Sequence, residues 1–180
     1  SALRQDAREG SAKAQIALGA MYLNGQRVDQ DEVEAARWFR MAAKQGSAIA
    51  QKIVGDLYRV GKGFSKDLTA SLHWYRKSAA QNNAGAQFEL GQMHESGLGV
   101  AEETAEAERW YRLAVGQGHL AAMSNLALLW AENGGNLLAA EKLAKAALGK
   151  GPEKAVLADT LGWVLYRKGD IAAAVRILER

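Results

Sequence analysis

The sequence predicts an all-α fold, a solenoid of stacked antiparallel helix pairs, and three observations carry that prediction. The stretch from Ala12 to Gly46, AKAQIALGAMYLNGQRVDQDEVEAARWFRMAAKQG, returns 36 residues later as AIAQKIVGDLYRVGKGFSKDLTASLHWYRKSAAQN, and again as AGAQFELGQMHESGLGVAEETAEAERWYRLAVGQG. The columns Gln15/Gln51/Gln87, Gly19/Gly55/Gly91, Gly25/Gly61/Gly97 and Trp38/Trp74/Trp110 stay in step. A period of this length marks a repeat architecture, in which each unit buries its apolar face by stacking on the next. Composition agrees: the chain is 48% apolar, rich in Ala and Leu, with one proline, Pro152, and few β-branched runs, which favours helix throughout.

Residues 1–10 read as the end of a preceding repeat helix, because Ala7 and Gly10 lie one period before Ala43 and Gly46. The array is therefore expected to continue upstream, with Leu3 and Ala7 covering the first complete unit. In that unit Ala14, Leu18, Met21 and Tyr22 recur at helical spacing and predict a helix from about Ser11 to Leu23. Asn24 and Gly25 stop it, and the recurrence of Gly25 as Gly61 and Gly97 suits a helix end that needs positive φ. Asp31 opens the second helix, which carries Glu32, Ala35, Trp38, Phe39, Ala42 and Ala43. Asp67 and Glu103 share that column and complement the positive end of the helix dipole. Gly19, Gly55 and Gly91 fall inside the first helix, where glycine costs about 1 kcal/mol relative to alanine. A neighbour passing too close for a Cβ explains them, and the tryptophan of the second helix is the expected partner.

These residues, A-x-A-Q-x-x-L-G-x-x-Y-x-x-G-x-G-V, then D, then A-x-x-W-Y-x-x-A-A-x-x-G, resemble the Sel1-like repeat, a relative of the tetratricopeptide repeat with a longer loop between its helices. The resemblance covers Ser11 to Gly118. Two positions depart from it: Arg27 stands where the other copies have Gly63 and Gly99, and His94 where they have Tyr22 and Tyr58. After Gly118 the inter-helix loop shortens to AENGGN and the second-helix tryptophan is lost. Leu126, Ala127, Trp130, Ala139, Leu143 and Ala146, then Leu161, Gly162, Tyr166, Gly169, Ala174 and Leu178, are placed much as a tetratricopeptide repeat places its small and large residues. The expected division is three Sel1-like repeats (11–46, 47–82, 83–118) and two tetratricopeptide-like repeats (119–152, 153–180) in one continuous solenoid. No capping helix follows the last of them, so the array is expected to extend downstream as well. The resemblance implies a right-handed α-α superhelix.

Chemistry is hard to find in the chain. Cysteine is absent, which excludes disulfides and thiolate metal sites and leaves the compartment open. His73, His94 and His119 occupy unrelated repeat positions and cannot form a metal site together. The string VGKGFSK around Lys62 lacks phosphate-loop spacing and follows a helix. Glu102 and Glu103 are explained as helix-start residues. Trp38, Trp74 and Trp110 recur at repeat spacing and read as core, not as a base-stacking platform. The net charge of +3 comes from 23 basic and 20 acidic side chains, interspersed, so no nucleic-acid surface is indicated. No apolar run is long enough to span a bilayer. No catalytic residues, metal or cofactor are assigned.

What remains is surface. In tetratricopeptide-like stacks the first helices line a concave groove, and the resemblance implies groove columns two before, two after and five after the conserved leucine. These give Ile16, Ala20 and Leu23; Lys52, Asp56 and Arg59; Phe88, Gln92 and Glu95; Ser124, Leu128 and Ala131; and Asp159, Trp163 and Tyr166. Lys52, Asp56, Arg59, Phe88, Gln92, Glu95, Leu128, Trp163 and Tyr166 are the candidate binding residues. A mixed apolar and charged groove suits an extended peptide or a helix. The expected function is a non-enzymatic scaffold for a protein or peptide partner in a bacterial assembly or signalling system. The resemblance also allows a bacterial envelope module, periplasmic and associated with polysaccharide export or peptidoglycan.

Overall fold

The structure, a computed structural model, describes residues 2–179. Among these residues there are eleven helices and no strand: α1 Ala2–Arg8, α2 Ala12–Asn24, α3 Glu32–Lys44, α4 Ala48–Val60, α5 Leu68–Ala79, α6 Ala84–Glu95, α7 Thr104–Gly116, α8 Leu120–Glu132, α9 Leu137–Lys150, α10 Lys154–Lys168 and α11 Ile171–Leu178. From α2 onward they form pairs, and the second helix of each pair packs on the first helix of the next. α8 also touches α10, whereas no two second helices approach as closely; the first helices therefore line the inner side of the stack.

Local chemistry sets the boundaries. Ser11, Ser47, Asn83, His119 and Asn136 each accept a hydrogen bond from the amide three residues on, starting α2, α4, α6, α8 and α9. Such a cap contributes about 1 kcal/mol. Asp31 accepts from the Val33 and Glu34 amides and Asp67 from the Ala70 amide, but Glu103 makes no such bond, its side chain being one carbon longer. Gly25 and Gly61 close α2 and α4 in the left-handed conformation, at φ 65° and 80°. Arg27 takes φ 61°, matching Gly63 at 67° and Gly99 at 74°, so this departure from the repeat leaves the loop backbone unchanged.

The interior helix glycines do make a close approach, but the tryptophan is not their partner. A Cβ on Gly55 would lie 2.6 Å from the Tyr75 ring, one on Gly91 2.5 Å from Tyr111, and one on Gly19 3.1 Å from Phe39. The residue after each tryptophan points into its own pair and fills the glycine notch. Trp38, Trp74 and Trp110 point the other way and are half-buried. They lie at the seams between units: Trp38 against the cluster of Ala7, Ala14 and Leu18, Trp74 against the cluster holding Ala36 and Val54, and Trp110 against that holding Leu72 and Leu90. A helix advances 100° per residue, so neighbouring aromatic positions serve different interfaces.

The glutamine column has an equally specific role. Buried Gln15, Gln51 and Gln87 each donate through Nε2 to a carbonyl of the preceding helix, that of Ala7 at 3.0 Å, Ala43 at 3.2 Å and Ala79 at 3.5 Å. Each accepts in return, through Oε1, from the amide of Gln45, Gln81 or Gln117 at 2.7 to 2.8 Å. Only a side chain with both a donor and an acceptor serves both partners at such a site.

The far end of the stack is apolar. Leu178 takes the notch position opposite Gly162, and Trp163, Tyr166, Ile171, Val175 and Leu178 are all exposed. Among the described residues no helix is long and apolar enough to cross a membrane.

Candidate functional site

Among the described residues no group of three His, Asp or Glu side chains could hold a metal ion. His73 is exposed against the edge of Trp74, at 5.7 Å between ring centroids. His94 is buried in the tyrosine column, and His119 caps α8.

Side chains from different units do meet on the inner face formed by α4, α6, α8 and α10. In the second unit Lys52 Nζ lies 2.8 Å from Asp56 Oδ2 and 3.8 Å from Glu89 Oε1 in the next unit. Arg59 Nε lies 3.7 Å from the other Glu89 oxygen and donates to the Tyr75 hydroxyl at 3.1 Å, which itself donates to Asp56 Oδ1 at 2.8 Å. Two cations and two carboxylates thereby compensate one another around a tyrosine rising from beneath Gly55. Burial raises the Tyr75 pKa, with the Asp56 and Glu89 charges adding to it. Burial also raises that of Glu89, against the pull of Arg59 and Lys52.

One unit on, the same device has a different outcome. Tyr111 donates to Glu95 Oε2 at 2.5 Å and accepts from Asn125 Nδ2 at 3.2 Å. Phe88 stacks on the His119 ring at 4.8 Å between centroids. His119 Nδ1 accepts from the Ala122 amide at 3.2 Å, which requires the neutral ring with its proton on Nε2. Burial, with Lys52 adding like charge, lowers its pKa.

The structure thus brings Lys52, Asp56 and Arg59 together with Glu89 and Tyr75, and Phe88 and Glu95 together with Tyr111, Asn125 and His119, as two neighbouring networks across the second to fourth units. Gln92 lies between Phe88 and Glu95 on the same stripe of α6, half-buried, as are Ile16, Ala20, Leu23 and Leu128 on their own helices. Trp163 and Tyr166 stack on each other at 5.6 Å, 41% and 54% exposed, beside exposed Asp159. Ser124 and Ala131 are corrections: both are buried, because α10 packs directly on α8 and closes that stretch of the face. Glu89, Asn125, Tyr75, Tyr111 and His119 were outside the three columns read from sequence. Glu89 and Asn125 share the position just before the conserved leucine, where the earlier units carry Ala17 and Ile53; a change from apolar to polar in one repeat column was the available signal. The tyrosine hydroxyls could be found only by knowing that their rings pass beneath the glycines.

Fold and face together define the class: an α-solenoid of helical repeats whose inner surface presents side chains from several units at once. The Sel1 repeat is matched three times, over residues 12–47, 48–83 and 84–119. The chain belongs to the Sel1 repeat family, whose members are generally non-catalytic scaffolds for protein–protein interaction. Among solved structures it resembles c5321, a protective antigen of uropathogenic Escherichia coli strains displaying an SLR fold, with 29% identity, a TM-score of 0.86, and coverage of 97% of this chain and 38% of that one. It also resembles a Sel1 repeat protein from Oxalobacter formigenes, with 29% identity, a TM-score of 0.79, and coverage of 91% and 73%. MamA shares the fold, at 16% identity, a TM-score of 0.62 and coverage of 89% and 88%. This chain thus spans little more than a third of the length of c5321. No curated protein matches the sequence.

Proposed function

We propose that the chain is a non-enzymatic scaffold that binds a partner protein or peptide in the groove of its inner face, within a bacterial assembly or signalling system. The observation that carries this reading is the convergence of α6, α7 and α8 side chains with the α8 cap His119 around Phe88 and Glu95, where aromatic and polar groups from separate units share one surface. Aromatic anchors with satisfied polar neighbours are what interface hot spots are made of. One continuous solenoid, three Sel1 units followed by two tetratricopeptide-like ones, gives an extended partner room along several repeats.

The test is site-specific photo-crosslinking in the native cell, with the crosslinker at Gln92 in the groove and at Arg76 on the outer side. A partner recovered from Gln92 and absent from Arg76, and lost when Phe88 is changed to alanine, supports the reading. Equal recovery from both positions removes it. An envelope role is the second reading, favoured by the likeness to c5321, since a protective antigen must be reachable by the immune system. Co-sedimentation with purified peptidoglycan, undiminished by Phe88→Ala, would favour that role over the groove.

A further inference from the structure

Resting on the groove reading, we infer that the groove's partner is a basic segment, whose lysine or arginine side chains are taken up at two stations, one at Glu95 with Phe88 and His119, the other at Asp159 with Trp163 and Tyr166.

The charge pattern carries the inference. Lys52 and Arg59 look like anion receptors in the sequence, but in the structure they are occupied by Asp56 and Glu89. Glu95 and Asp159, in contrast, have no cationic group within 4.0 Å among the described residues. Glu95 is held by one hydroxyl, that of Tyr111 on Oε2, which leaves Oε1 to accept from a ligand. Of these groove residues, the cations Lys52 and Arg59 are therefore paired with Asp56 and Glu89, whereas the carboxylates Glu95 and Asp159 are not paired with a cation among the described residues. The chain as a whole carries +3, but surface charges are screened within about 8 Å at physiological salt, so the local pattern governs.

The aromatic rings point the same way. Outside the groove several rings carry a cation from their own chain: Arg40 over Phe64 at 5.4 Å, Lys77 over Trp74 at 5.1 Å, Arg109 over Trp110 at 5.6 Å and Arg112 over Trp130 at 5.4 Å. No such cation covers Phe88, Trp163 or Tyr166 among the described residues. At the second station the exposed rings of Trp163 and Tyr166 lie beside Asp159, the combination that attracts a cationic side chain by ring quadrupole and charge-assisted hydrogen bonding; at the first, Glu95 supplies the charge and Phe88, stacked on His119, an apolar contact. Spacing fixes the scale. Phe88 precedes Glu95 by seven residues on α6, about 10 Å along the axis, which an extended peptide covers in about three residues. The first station therefore fits a segment with an apolar residue and, about three positions away, a lysine or arginine. His119 is kept neutral by burial and does not repel that charge.

The experiment pans a phage library of random 12-residue peptides on the immobilised full chain, then measures the recovered peptides by fluorescence anisotropy. The expected sequences are enriched in lysine or arginine about three residues from an aromatic or aliphatic residue. Their affinity should fall at least tenfold in Glu95→Lys/Asp159→Lys, severalfold in Glu95→Gln, and steadily between 50 and 500 mM salt. Glu95→Gln keeps an acceptor for Tyr111, and unchanged thermal midpoints by circular dichroism confirm that the variants fold. Neutral or acidic peptides that bind the charge variants equally well, yet are lost with Phe88→Ala, overturn the basic partner and leave the groove standing. Peptides indifferent to Phe88→Ala as well, or no enrichment at all, overturn both.

Discussion

Replacing Gly91 by alanine sets two opposed effects against each other in one helix. Alanine is the better helix former by about 1 kcal/mol, so on propensity alone the variant gains stability. The new methyl, however, would sit 2.5 Å from Cδ1 and Cε1 of Tyr111, about 1 Å inside the separation at which carbon atoms attract. Tyr111 is fully buried, and its hydroxyl is tied to Glu95 and Asn125, so the ring cannot slide away without stretching those bonds. Overpacking of this kind costs about 1–3 kcal/mol, and the tether places it in the upper half. A net loss of about 1–2 kcal/mol is expected for Gly91→Ala, and nearly as much for Gly55→Ala, whose Cβ would lie 2.6 Å from Tyr75. Gly19→Ala, at 3.1 Å from an untethered Phe39, should fall close to zero. Urea unfolding followed by circular dichroism measures all three. If the three variants gain stability alike, propensity governs and the close-approach account of this column is wrong.

The glutamine ladder makes a second prediction: Gln51→Leu removes two hydrogen bonds, its donation to the Ala43 carbonyl, which keeps only the Gly46 amide, and its acceptance from Gln81, and should cost about 1–3 kcal/mol, read as a lower urea midpoint. Gln81→Ala, which leaves the Gln51 donor in place, should cost less. Protonation of His119 removes the α8 cap and is disfavoured by burial and by Lys52. Its folded pKa lies below the unfolded value near 6.5, so the unfolded chain binds the proton first, and stability should fall as pH drops from about 6.5 through the folded value. His119→Asn, which caps without titrating in this range, should flatten that part of a stability-versus-pH curve measured by thermal unfolding. Tyr75→Phe removes the donor to Asp56 and the acceptor for Arg59. It should weaken groove binding and lower stability by about 1 kcal/mol, as judged by peptide affinity and the urea midpoint together.

The fold was legible because it is written three times. A single Gly25 is ambiguous, but a glycine at 25, 61 and 97 with an acidic residue following at 31, 67 and 103 leaves one interpretation: α2 and α4 close on Gly25 and Gly61, α6 closes one residue before Gly97, and α3, α5 and α7 begin just after the acidic column. Periodicity identified Gly19, Gly55 and Gly91 as close contacts but could not say with what, because Trp38 and Phe39 are neighbours in sequence and recur together. Only the rotation of α3 decides which of them faces the notch. The groove was harder to read for the opposite reason: its residues do not repeat. Lys52 and Arg59 were found by column, but their partners Glu89 and Tyr75 belong to another unit and to another helix, so sequence alone showed two free cations where the folded chain has none to spare. In the fourth unit the columns mislead outright, since the packing of α10 on α8 buries Ser124 and Ala131.

The notch column connects the core to the surface, and the chain itself shows the rule. Where the first helix has glycine the second has a large side chain, a ring in Gly19 and Phe39, Gly55 and Tyr75, and Gly91 and Tyr111, a leucine in Gly162 and Leu178; the fourth unit pairs Ala127 with Ala144, both buried. Combined size is traded across the pair, as close packing requires. The ring, however, does more than fill space. Phe39 belongs to an apolar cluster on which Ile16, Ala20 and Leu23 pack, whereas Tyr75 and Tyr111 reach Asp56 and Glu95 with their hydroxyls. A single oxygen atom at a buried position thus decides whether the overlying stretch of groove is apolar or organised around a carboxylate. Phe39→Tyr would place a hydroxyl beneath a surface with nothing to accept its bond, at a cost of about 1–3 kcal/mol, unless Ala20→Asp supplies the acceptor that Asp56 provides one unit later. Recovery of the urea midpoint in the double variant, relative to Phe39→Tyr alone, is the expected result. If Ala20→Asp adds its own loss instead, the groove is not set by the ring beneath it.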